Sequence, residues 1–166
     1  MYKVALKEHI RFVISLFRYA FLTFIAFTIL SYFKLGYLDV RLAIYLGVQA
    51  YLLLITPKLL LYLNYYLTNK NMVVYYDETQ KQMRVTDKGR DITFEVVDVK
   101  TVTEYKTYPK AENRTTWMPW DDYHYSLVEL KNGEKFYFTS LILPNLNLPI
   151  DKSKITLKKR FYPATW

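Results

Sequence analysis

Cysteine is absent from this 166-residue chain, glycine occurs four times and histidine twice. Without thiols there is no disulfide, no thiolate metal site and no cysteine nucleophile, an absence that fits a reducing compartment. The glycines, Gly36, Gly47, Gly89 and Gly133, stand too far apart to build a phosphate-cradling loop. His9 lies in a basic N-terminal flank. His124 has Asp121 and Asp122 beside it and Ser126 two residues on, but zinc needs three or four ligands and a serine nucleophile needs an orienting partner. The expectation is therefore a protein with no catalytic residues, no metal and no cofactor, and not an enzyme.

What the chain has in quantity is apolar sequence, concentrated in its first seventy residues. Residues 12–33 read FVISLFRYAFLTFIAFTILSYF and residues 42–63 read LAIYLGVQAYLLLITPKLLLYL. A helix rises about 1.5 Å per residue and a bilayer core is about 30 Å thick, so roughly 20 apolar residues suffice to span it. Each segment carries one charge near an end, Arg18 in the first and Lys58 in the second, placed to snorkel to the headgroups. Pro57 is expected to kink the second helix near the interface. Tyr19, Tyr32 and Tyr37 flank the first span, and Tyr62, Tyr65 and Tyr66 the second, as an aromatic belt does.

The competing reading is a soluble protein with two buried helices, to which a mean hydropathy near zero lends superficial support. That average blends two unlike halves. Residues 19–33 contain only Thr23, Thr28 and Ser31 as polar positions, so the charged face of a soluble helix is missing. A cleaved signal peptide, suggested by Lys3, Lys7 and Arg11, fits less well than a retained anchor. The apolar run is long, no small-residue cleavage site follows it and a second span comes at once.

Residues 1–70 hold eight basic and two acidic side chains, and residues 71–166 hold fifteen and thirteen. Basic residues cluster before the first span, including Arg11, and after the second. The positive-inside rule then places both termini in the cytoplasm and the loop KLGYLDVR outside, in an integral membrane protein. Ala43 and Gly47, four apart, offer a small-residue surface for close helix packing within the hairpin or between two copies. The remaining surplus lies in the tail, where residues 151–160 carry five bases, Lys158, Lys159 and Arg160 among them. That distribution suits a lipid bilayer as partner and not nucleic acid, which asks for a basic stripe across a folded domain.

Beyond residue 70 the pattern switches to period two with frequent turn signals. Strands are predicted at 72–76, 83–86, 91–96, 99–108, 123–130, 134–139 and 154–162. Asp87-Lys88-Gly89-Arg90 joins the second to the third, and Lys131-Asn132-Gly133 closes a hairpin. Seven short antiparallel strands argue for a small barrel or sandwich. The polar segment 109–122 carries Trp117, Met118 and Trp120; these either insert at a membrane or partner surface, or fold back to plug one end of the barrel, the expectation favoured here.

The strand NMVVYYD, the meander MRVTDKGRDITFEV, the hairpin YSLVELKNGEKFYFTS and the closing LILPNLNLP and KKRFYP, set behind a hydrophobic hairpin, resemble bacterial membrane-anchored proteins with a pleckstrin-homology-like (PH-like) domain. The resemblance implies an α+β membrane protein: a two-helix hairpin over residues 1–70, then over residues 71–166 a seven-stranded antiparallel barrel closed by a C-terminal helix. It also implies binding without catalysis. Pro144 and Pro149 leave room for only a short or degenerate closing helix near 139–148. An OB-like or Sm-like barrel is the alternative. Lys81 with Lys88 and Arg90 superficially matches the phosphoinositide motif of PH domains, but Lys88 and Arg90 fall in the second turn instead of the first.

The leading expectation is thus a membrane-tethered module that binds a protein partner or lipid surface at the cytoplasmic face. The candidate contacts are Arg11, Arg18, Lys58, Trp117, Trp120, Lys158, Lys159 and Arg160. A structural subunit assembled through the hairpin, as homo-oligomer or with other chains, is the second reading; an interfacial enzyme around His124 is the third.

Overall fold

The computed structural model describes residues 2–35, 40–143 and 150–165. The chain divides into two compact units, Leu6–Leu60 and a second formed by Met1–Ala5 with Leu61–Trp166.

The first unit is helical. Helix α1 covers Leu6–Leu35, and helix α2, Val40–Asn69, gives all but its last turns to this unit. Runs of Leu, Phe and Ile with no glycine and no proline carry α1. Its few hydroxyls donate to carbonyls one turn back: Ser15 Oγ to Phe12 O at 2.6 Å, Thr23 Oγ1 to Tyr19 O at 2.9 Å, Thr28 Oγ1 to Phe24 O at 2.9 Å. These three hydroxyls are therefore satisfied inside their own helix, which suits a segment whose surroundings are apolar. In α2 the helix continues through Pro57, and Thr56 Oγ1 donates to Leu52 O at 2.7 Å one residue before it. Both helices are long and apolar enough to cross a membrane. Their large side chains face outward almost throughout, Phe17, Phe33 and Leu53 among the most exposed, while Ala43, Gly47, Ile55 and Lys58 line the buried face of α2.

The second unit is built on strands β1 (Val73–Asp77), β2 (Gln82–Asp87), β3 (Arg90–Glu95), β4 (Val99–Lys106), β5 (His124–Leu130), β6 (Lys135–Thr139) and β7 (Ile155–Lys159), with a single-turn helix α3 (Tyr108–Ala111). The alternation of the sequence fixes them: Met83, Val85, Phe94, Val102, Val128, Phe136 and Phe138 all point inward, and one core takes side chains from every strand from β1 to β6. Asp87-Lys88-Gly89-Arg90 forms a two-residue turn with φ of 48° at Lys88 and 81° at Gly89, the left-handed pair that matches strand twist. The Asn-Gly hairpin works differently. Gly133 alone takes a left-handed φ of 89°, its N–H donates to Leu130 O at 3.0 Å and Leu130 N–H to Glu134 O at 2.9 Å, making a three-residue loop.

How the strands join departs from the expected closed antiparallel barrel. Among the described residues there are two sheets, β1-β2-β3 and β6-β5-β4-β7. The 3-10 turn Val96–Asp98, capped by Glu95 N–H donating to Asp98 Oδ2 at 3.1 Å, carries the chain from one sheet to the other, and β3 does not pair with β4. Strand β7 runs parallel to β4. Strand β6 already points along β4, because two antiparallel pairings separate them, and the connection 140–154 is long enough to return the chain to the far edge of β4 in that same direction. Of the expected closing helix, 140–143 forms a turn, with Ile142 and Leu143 N–H both donating to Thr139 O at 3.0 Å; 144–149 lies outside the described residues. Tyr2 adds to the edge of β1, its N–H donating to Val74 O and its carbonyl accepting from Val74 N–H at 2.9 Å.

Candidate functional site: an aromatic and basic face of the second sheet

On the face of the four-stranded sheet turned away from the core, Thr139, Tyr125, Tyr105 and Lys158 stand in register across β6, β5, β4 and β7. Strand periodicity puts Arg160 on the same side as Lys158 and turns Lys159 to the other. Tyr105 and Tyr125 stack with centroids 4.5 Å apart. Over Tyr105 lie two cations, the Arg160 guanidinium at 4.5 Å from the ring centroid and the Lys158 ammonium at 5.9 Å. Burial drives the Tyr125 hydroxyl up to about 12, against the pull of Arg160 and with the repulsion of Tyr105 and Tyr137 adding to it, so it stays protonated at neutral pH.

The end of α2 packs onto this face. Tyr65 makes edge contacts with Tyr123 at 5.4 Å and Tyr125 at 6.2 Å, and its hydroxyl donates to Pro163 O at 2.7 Å. Asn64 Oδ1 accepts from Thr165 N–H and Oγ1, and Thr68 Oγ1 lies 3.1 Å from Thr165 Oγ1. Asn69 is fully buried at the free edge of β6. Its amide donates to Tyr137 O at 2.8 Å and its oxygen accepts from Thr139 N–H at 3.0 Å, the pattern a neighbouring strand would supply. Tyr65, expected in an aromatic belt, is instead fully buried against Tyr123 and Tyr125, and Asn64, Thr68 and Asn69 were not singled out from sequence. The legible signal was the appearance of Asn64, Tyr65, Thr68 and Asn69, at i and i+4 spacings, where an apolar helix ends.

The tryptophan segment splits. Trp120 is buried, donates Nε1–H to Phe161 O at 3.2 Å and packs edge-on against Phe161 and Tyr162. Trp117 is 82% exposed; the expectation was a loop plugging one end of a closed barrel, whereas Trp120 packs on the segment after β7 and Trp117 faces outward. Asp121, itself buried, fixes this arrangement: its Oδ2 accepts from the N–H groups of Trp117 and Met118, and its carbonyl accepts from Thr107 Oγ1 at 2.8 Å. Phe161, directly after Arg160, is 64% exposed. Lys159 is held by Glu112 at 2.8 Å, and that hydrogen bond keeps the Glu112 carboxyl below the usual range. Among the described residues, Lys158 and Arg160 form no ion pair.

The other candidates lie elsewhere. Arg11 is exposed and paired with Glu8 at 2.9 Å; Arg18 is exposed beside the Tyr19 ring. Lys58, expected to snorkel outward, is only 6% exposed: its ammonium donates to Ser15 Oγ at 2.7 Å and sits 5.1 Å from the Tyr19 centroid, because these partners across the hairpin satisfy it locally. Ala43 and Gly47 are buried, and a Cβ on Gly47 would lie 3.9 Å from Phe27 Cβ and 4.0 Å from Phe24 Cα, so this small-residue surface faces α1. Lys81 and Lys88 occupy left-handed turn positions, and the Arg84 guanidinium engages Asp91. His124 Nδ1 lies 3.2 Å from Asp122 O, and among the described residues no three metal-ligating side chains stand together.

A family model described as PH domain matches residues 1–149. The chain belongs to the PH domain family. The match takes in both apolar helices and strands β1 to β6 and stops before β7. No curated protein and no solved structure matches the chain. PH-like domains are in general binding modules without catalytic groups.

Proposed function

We propose that this PH domain protein is a membrane-tethered, non-enzymatic binding module whose helical hairpin spans the bilayer and holds the β unit at the cytoplasmic face. One observation carries the reading: the two units bury opposite surfaces. In Leu6–Leu60 most large apolar side chains are exposed, whereas in the β unit the apolar side chains fill one core. Exposed apolar area on that scale is unstable in water and ordinary in lipid. The Tyr2–Val74 bridge supports a hairpin topology, because the chain before α1 and the chain after α2 meet on one sheet. The resemblance to bacterial anchored PH-like proteins supports an inner-membrane setting.

Alkaline carbonate extraction tests the tether. The protein is expected to stay with the membrane pellet, and its release would overturn the reading. The orientation is checked with single cysteines at Tyr37 and Asn132, which are expected to react with an impermeant reagent from opposite sides.

A further inference from the structure

We propose that the outer edge of β3, Arg90–Glu95, is a self-pairing surface through which two copies of the chain join their three-stranded sheets antiparallel, about a two-fold axis at Ile92. The contact involves strand β3 alone, so it holds whether or not the hairpin spans a bilayer.

The two sheets present four edges, and three of them are occupied or blunted. Tyr2 bonds to Val74 along the outside of β1. Asn69 takes Tyr137 O and the Thr139 N–H along the outside of β6. Strand β7 runs into Lys158-Lys159-Arg160, and a run of like charge at an edge repels a second strand. Strand β3 has no such device. It carries no lysine, no proline and no bulge, and among the described residues β2 is its only neighbour in the sheet.

The turn before β3 decides which of its backbone groups face outward. Asp87 and Arg90 close a two-residue loop, so Arg90, Ile92 and Phe94 direct their N–H and C=O groups to β2. Val96 keeps that phase, its N–H donating to Lys81 O at 3.1 Å. Asp91, Thr93 and Glu95 therefore direct theirs away. Glu95 N–H is taken by Asp98 Oδ2 at 3.1 Å, which leaves the N–H and C=O of the exposed residues Asp91 and Thr93 facing out.

Such a row is a template for a further strand, and β3 itself fits it. A two-fold axis through Ile92 sets Asp91 opposite Thr93 of the second copy, where the pair can exchange both N–H···O bonds, and symmetry repeats this on the other side of the axis. Arg90 then faces Phe94, and the half-buried Ile92 faces itself and is covered. No like charges are directly opposed. Moving the axis to Asp91 sets that carboxylate against its own copy, and moving it to Thr93 sets Asp91 against Glu95, so repulsion disfavours both neighbouring registers. The Arg84 guanidinium already engages Asp91, which lessens its repulsion of the second copy. The surface is short, and the expected association is correspondingly weak.

The chain contains no cysteine, so single cysteines report the register. The full chain in detergent micelles is oxidised at rising protein concentration. Ile92→Cys is expected to give a covalent dimer, since residues in a non-hydrogen-bonded antiparallel pair have Cα atoms about 4.5 Å apart, within disulfide reach. Arg90→Cys lies about four residues along the strand from its symmetry mate, roughly 13 Å, and is expected to stay monomeric. In the unsubstituted chain, exchange of the Asp91 and Thr93 amides should slow about tenfold when about nine-tenths of the molecules are paired, and recover on dilution. Thr93→Pro removes an outward N–H and no bond to β2, so added to Ile92→Cys it should abolish the cross-link while the thermal midpoint of the β unit shows that it is folded. Should Thr93→Pro unfold, the exchange measurement decides without any substitution. Equal cross-linking of Arg90→Cys and Ile92→Cys, or exchange at Asp91 and Thr93 that ignores concentration, would overturn the proposal. A cross-link that survives Thr93→Pro would do the same and give the association to another surface. So would protection of these amides only when a second protein co-purifies, which would assign the edge to a strand of that partner.

Discussion

The hairpin and the β unit satisfy their polar groups in opposite ways. Along α1, hydroxyls bond to carbonyls three or four residues back, and the apolar surface is left facing outward. In the β unit, polar side chains tie together parts of the chain far apart in sequence: Asn69 to β6, Tyr65 to Pro163, Thr107 to Asp121. The hairpin is accordingly a structure of short-range bonds suited to a solvent that offers none. The β unit closes a core and fixes its edges through long-range bonds. Lys58 is the exception in the hairpin, since its partners Ser15 and Tyr19 come from the other helix.

Substitutions placed on either side of that divide should behave differently. The largest effect is expected from Phe138→Ala, which empties a fully buried position in the β core; a loss of about 3–5 kcal/mol should appear as a lowered thermal midpoint for the β unit, with helix content of the hairpin retained. Asn69→Leu should cost about 3 kcal/mol, because Thr139 N–H and Tyr137 C=O then lose their partner at a buried edge. Hydrogen exchange at the Thr139 amide should accelerate, whereas a protected amide would remove Asn69 from the role of an edge partner. Gly47→Leu should cost the hairpin about 1–3 kcal/mol by forcing α2 away from Phe24 and Phe27, read as earlier unfolding in detergent titration, while the β unit's midpoint stays in place.

The smallest effect concerns pH. The Glu112 carboxyl is held below its ordinary value, chiefly by its hydrogen bond to Lys159 and then by Arg114. Its folded pKa thus lies below the unfolded one. The stabilisation is complete above the unfolded value, near 4.3, and is lost as pH falls through the lower folded value. Acid unfolding followed in parallel on the parent and on Lys159→Gln should show the variant losing less over that window. Because the pair is exposed, identical curves would show that solvent screens it fully.

Legibility from sequence follows the same divide. The two apolar runs, the seven strands and both hairpin turns were readable because each depends on neighbours a few residues away: apolar length, period-two alternation, Lys88-Gly89 and Asn132-Gly133. The candidate face was readable only in pieces. Lys158 and Arg160 stood out as charge and Trp117 as an unusual apolar residue. Nothing local showed that Tyr105 would carry both cations, that Glu112 would neutralise the lysine between them, or that Trp120 and Trp117 would part company. The direction of β7 was hidden for a similar reason, since alternation marks a strand without saying which neighbour it joins.

By itself the sequence determined two apolar helices followed by a run of short strands, because hydrophobic length and period are properties of consecutive residues. Only the tertiary structure decided that the strands form two sheets with β7 parallel to β4, that Lys58 turns inward to Ser15, and that Lys158 and Arg160 come to lie over Tyr105. Those outcomes rest on partners brought together from distant parts of the chain, and the chemistry of a partner is not written beside the residue that needs it.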